Sequence, residues 1–72
     1  MDEKSINQIL GSRLKTCRLK KHLTQAQLAE KVNLSINFIG MVERGERNTK
    51  FSNVYKLAHA LDCNLEDFFK GL

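Results

Sequence analysis

The sequence has no proline, no tryptophan, one tyrosine, two cysteines and only four glycines in 72 residues. Helix breakers this scarce favour an all-helical fold before any periodicity is considered. No apolar run approaches the roughly eighteen residues that a membrane helix needs. The acidic opening Met1-Asp2-Glu3 is unlike a signal peptide, which begins basic. A soluble, cytoplasmic protein without membrane contact is therefore expected. Cys17 and Cys63 lie far apart, with no Cys-x-x-Cys and no nearby histidine pair, so they lack metal-ligand spacing. They read as small buried core residues, and nothing in the sequence suggests the oxidising compartment that a disulfide needs. There is no glycine-rich phosphate loop and no nucleophile–base set. Catalytic residues, a metal, a cofactor and a small-molecule ligand are accordingly not expected, and an enzyme is disfavoured.

What the chain does have is charge with an uneven distribution. The net charge is +4. Residues 1–22 carry six Lys/Arg against two acids, whereas residues 23–72 carry six of each. The excess, which includes Lys15, Lys20 and Lys21, sits on an amino-terminal helix. It favours an anionic partner, although a surface helix is often basic for solubility alone. Hydrophobic residues at 42% suit one folded domain spanning 1–72.

Five helices follow from periodicity and caps. The first is expected from about Ser5 to Lys21, with Ile6, Leu10, Leu14 and Cys17 recurring at three to four residues. The second begins at Thr24, where Gln27 completes a capping box, and ends near Val32. The third is capped by Ser35 and stops at Gly45. The fourth is expected after Ser52, with Val54, Leu57, Ala58 and Leu61 on one side. The fifth is expected after Asn64, with Asp67 as capping partner, and carries Leu65, Phe68, Phe69 and Leu72. Between helices stand His22, Asn33, Gly45 and Asp62, residue types that tolerate the positive φ of a chain leaving a helix.

The segment from Thr24 to Gly45 has the requirements of a helix-turn-helix. Ala29 is small where two helices cross, Asn33 tolerates the tight turn, and Leu28, Leu34, Ile39 and Val42 supply packing. At about 100° per residue, Ile36, Gly40, Arg44, Asn37 and Met41 share an arc of about 140° on the third helix. Phe38, Val42 and Ile39 point the other way. One face can be buried while the other meets DNA, and Glu43 lies at the border.

These residues resemble the phage-repressor and Cro-type helix-turn-helix proteins, the XRE family. The shared wording is Leu23-Thr-Gln-Ala-Gln-Leu-Ala, then Phe38-Ile-Gly-Met-Val-Glu-Arg-Gly, then Leu57-Ala-His-Ala-Leu. The run from Val42 to Asn48 is similar to the controller proteins of restriction–modification systems. The resemblance implies a five-helix, lambda-repressor-like domain that regulates transcription by binding double-stranded DNA, as a repressor or autoregulator at a palindromic operator. It implies that Gln25, Arg44, Arg47 and Asn48 touch phosphate and that Ser35, Ile36, Asn37 and Met41 face the bases. It implies an ion pair between Arg18 and Glu43, and a homodimer.

The chain departs from many relatives at Ile36 and Met41. Apolar side chains there suit a thymine methyl and leave Asn37 to read adenine. Leu65, Phe68, Phe69 and Leu72 form a narrow stripe on the fifth helix. Core closure is its ordinary reading. The surplus of large residues points to a dimer interface at Leu65 and Phe69, with Phe68 and Leu72 nearer the core. An alternative function is a protein-interaction module of the same fold, an antitoxin or regulatory subunit, using the apolar Ile36 and Met41.

Overall fold

The computed structural model describes all residues, Met1–Leu72. It contains five helices and no strand: α1 (Glu3–Lys20), α2 (Gln25–Val32), α3 (Ile36–Glu43), α4 (Phe51–Ala60) and α5 (Leu65–Phe69). α1 packs on α3 and α5, α2 packs on α3 and α4, and α4 also meets α5. Their shared core is Leu14, Leu28, Ala29, Val32, Ile39, Val42, Leu57, Ala58, Leu61 and Phe68. Leu28, Ile39 and Leu61, one each from α2, α3 and the end of α4, are its fully enclosed centre.

The helix ends follow local chemistry. At α2 both halves of the capping box form: the Gln27 amide donates to Thr24 Oγ1, and the Thr24 amide donates to Gln27 Oε1. Ser35 Oγ accepts from the Phe38 amide at 3.0 Å and caps α3. His22, Asn33, Gly45 and Asp62 all have positive φ, between 54° and 73°. These left-handed residues turn the chain out of α1, α2, α3 and α4.

Two helix starts and one cap partner differ from the sequence reading. α1 starts at Glu3 rather than Ser5, because Asp2 Oδ1 accepts from the Ser5 amide at 2.8 Å. That same bond holds the Asp2 carboxyl below its usual pKa. α4 starts at Phe51, so Ser52 lies inside its first turn; the cap position is Lys50, whose side chain makes no cap bond. Asn64 does cap α5, but it accepts from Glu66, and Asp67 contributes only its backbone N–H to the Asn64 carbonyl.

One glycine sets the packing of α1. A Cβ at Gly11 would run into the Val42 and Glu43 carbonyl oxygens. α1 therefore crosses the end of α3 backbone to backbone, a closeness that only glycine permits. Arg13, two residues on from that crossing, donates from Nη1 to the Phe68 carbonyl at 2.7 Å and ties α5 to α1. The sequence reading singled out neither residue.

Candidate nucleic-acid interface

The inward side of α3 is fixed by a buried polar cluster. Arg18 Nε donates to Glu43 Oε2 at 2.7 Å and its Nη2 to Glu43 Oε1 at 3.1 Å, a fork-to-fork pair. The two side chains are 8% and 2% exposed. Burial of a charge at this level is tolerated only when its other valences are also met. They are: Arg18 Nη1 donates to the Leu23 carbonyl at 2.7 Å, and Gln25 Nε2 donates to Glu43 Oε1 at 3.0 Å. No buried side-chain nitrogen or oxygen in the chain lacks a partner. The Glu43 carboxylate thus fastens α1 and α2 to α3, and Arg18 adds the α1–α2 turn.

The outward side of α3 is different. Ile36 is 52% exposed and Asn37 is exposed beside it, while Met41 is half-buried. Ser35 stays exposed but spends its oxygen on the cap. Gly40 is buried although it belongs to this side. A Cβ there would lie 3.0 Å from Arg44 Nη1 and 3.6 Å from Gln25 Oε1, so those two side chains cover it. The Arg44 guanidinium consequently folds back across the outward side of α3 instead of pointing off its end. Its Nε is 3.1 Å from Glu46 Oε2, in an exposed pair of the kind that contributes little.

The segment after α3 holds the other two expected phosphate contacts. Arg47 is exposed, with Cζ 5.3 Å from the centre of the Phe38 ring, a cation–π contact that places its charge next to α3. Asn48 is exposed, but its amide is engaged. It donates to Glu3 Oε1 and accepts from Asn7 Nδ2. Asn48 therefore anchors this segment to the start of α1, a role its sequence position does not disclose. Gln25 is similarly engaged through Nε2 by Glu43, which uses one of its two N–H donors.

A second surface lies on α4 and α5. Phe69 is 36% exposed and its ring stacks on Phe51, with centroids 6.2 Å apart at 21°. Phe51 itself is 63% exposed. Tyr55, four residues along the same face of α4, is also exposed and stacks on His59. Leu65 is half-buried against the core and Phe68 is buried in it. Leu72 does not approach the core: α5 ends at Phe69, Gly71 turns the chain at φ 80°, and Leu72 is left exposed. Phe51 was missed because its exposure depends on α4 starting two residues earlier than expected.

A helix-turn-helix family model (HTH_3) matches residues 14–68. The chain belongs to this helix-turn-helix family. Its fold is that of the restriction–modification controller protein C.AhdI from Aeromonas hydrophila. That crystal structure has a TM-score of 0.89 and 38% identity, with 96% of this chain and 100% of that one covered. The controller protein C.Esp1396I, solved as a tetramer with its natural 35-base-pair operator, matches at a TM-score of 0.80 and 29% identity over 90% and 86% of the two chains. The immunity repressor of Bacillus phage phi105 is 42% identical over 52 residues, which is 72% of this chain. The chain spans only 36% of that repressor's length. These homologues are transcriptional regulators and repressors, and the family is a regulator class rather than an enzyme class.

Proposed function

We propose that this chain is a DNA-binding transcriptional regulator, without catalytic activity, that works as a homodimer on a palindromic operator. The observation that carries the reading is the outward side of α3: Ile36 and Asn37 stand clear of the domain, flanked by the guanidiniums of Arg44 and Arg47. An α-helix bearing such a side fits the major groove. There Asn37 can bond an adenine edge, and Ile36 and Met41 can meet a thymine methyl. Arg44, Arg47 and the second Nε2 hydrogen of Gln25 are donors that can meet phosphates of the flanking backbone, Arg44 by swinging away from Gly40. Asn48 acts on phosphate only if its bonds to Glu3 and Asn7 open.

One recognition helix covers a few base pairs, so a lone subunit binds weakly. Pairing two copies through Phe69, Leu65 and the adjoining Phe51 removes exposed aromatic surface, and a dimer that binds two half-sites must hold its two α3 helices about 34 Å apart, one turn of DNA.

Salt-titrated binding to duplex DNA tests the reading. A regulator of this kind loses affinity steeply as salt rises. Affinity that ignores salt, or none for any duplex, would favour an interaction module using Ile36 and Met41. Sedimentation of the parent and of Phe69→Lys tests the dimer. A parent that stays monomeric at roughly hundreds of micromolar, far above the tightness a working dimer needs, would overturn it; so would a Phe69→Lys dimer as tight as the parent.

A further inference from the structure

Cys17 and Cys63 are separated by most of the sequence, yet they come together in space. Both are free, both are half-buried, and both pack against the same core. They line one open groove between α1 and the α4–α5 turn, with Lys20, Lys21 and Asp62 around them. The turn that carries Cys63 is firmly placed: Asp62 is left-handed, and the Cys63 amide donates to the Ala58 carbonyl at 2.8 Å. No residue of α3 lines this groove.

We propose that Cys17 and Cys63 form a reversible oxidation site, closing to an intramolecular disulfide on reaction with a small-molecule disulfide such as oxidised glutathione. Burial, together with the neighbouring Cys17 thiol, pushes the Cys63 thiol up to about 11. Cys63 therefore holds its proton more tightly than an ordinary thiol, and the first attack is assigned to Cys17, which gives up its proton to solvent. A bond forms between Cys17 Sγ and one sulfur of the glutathione disulfide; that disulfide bond breaks and one glutathione leaves as thiolate. Cys63 then gives up its proton to solvent and attacks Cys17 Sγ, and the second glutathione leaves as thiolate. Both thiolates take up protons. Two protein thiols are oxidised by two electrons, and one glutathione disulfide is reduced to two glutathiones.

The cross-link would enclose α2, α3 and α4 in one covalent loop. Constraining the unfolded chain over so long a loop stabilises the fold. Folded population would then follow the thiol–disulfide state of the surroundings.

The test is incubation of the intact protein with oxidised glutathione, read by mass and by thermal unfolding. The expected result is a monomer lighter by about 2 Da, reversed by dithiothreitol. Its Tm should rise by roughly ten degrees. Cys17→Ser and Cys63→Ser should each abolish both changes. A stable glutathione adduct on the parent, disulfide-linked dimers in place of the lighter monomer, an unreacted parent, or a cross-linked monomer with unchanged or lower Tm would each overturn the proposal.

Discussion

The two sides of α3 are built from neighbouring residues and differ in what completes them. On the inward side Ile39 and Val42 are buried, and the Glu43 carboxylate is answered by Arg18 and Gln25. On the outward side Ile36 and Asn37 stand in solvent, and Arg44 has only an exposed pairing with Glu46. A buried charge left without partners would cost several kcal/mol, so the inward side must be satisfied within the chain. Exposed groups carry no such requirement, and what they hold is available to a second molecule. Inward residues should accordingly govern stability and outward residues binding, with little crossing between the two.

The largest expected effect belongs to the inward side. Glu43→Ala strands the Arg18 guanidinium and frees the Gln25 amide, and urea unfolding should show a loss of about 3–5 kcal/mol. Asn37→Ala is the matching change outside. It should melt like the parent and weaken binding to the preferred DNA site by about 1–3 kcal/mol, with selectivity relaxed at one base pair. An Asn37→Ala protein destabilised as much as Glu43→Ala would erase the distinction.

Arg44→Ala and Arg47→Ala sharpen it further. Each should weaken specific and non-specific DNA about equally and make the salt dependence shallower by about one unit of slope. A loss confined to the specific site would show base reading instead; the Arg44 guanidinium, folded over Gly40, is the one placed to reveal it. The smallest effect is Thr24→Ala, which removes one half of the α2 capping box and should cost about 1 kcal/mol of stability. Its binding, measured well below the melting temperature, should match the parent's.

The same division explains what could be read from the residues in order. Caps and left-handed turns are local chemistry, so Thr24, Ser35, Asn33, Gly45 and Asp62 were legible one residue at a time. The apolar period of α2 and α3 gave their buried faces for the same reason. Gly11, Arg13 and Asn48 were not legible, because each has its role from a partner far along the chain: the α3 carbonyls, the Phe68 carbonyl, and Glu3 with Asn7. The Cys17–Cys63 neighbourhood is of this kind too. α4 was misplaced by two residues because Ser52 is a good cap by type, whereas the helix instead begins at Phe51 without any side-chain cap. The outward side of α3 follows from helical periodicity, whereas the fold of Arg44 across Gly40 depends on the packing of α2 beside it.

Selection from a randomised DNA pool by the parent and by Asn37→Ala tests the central claim most directly. The account predicts that the parent enriches an inverted repeat whose half-site centres lie about one helical turn apart. It also predicts that Asn37→Ala loses preference at one symmetry-related base pair in each half. A pool left unenriched by the parent, or the same preference at every position from both proteins, would contradict it.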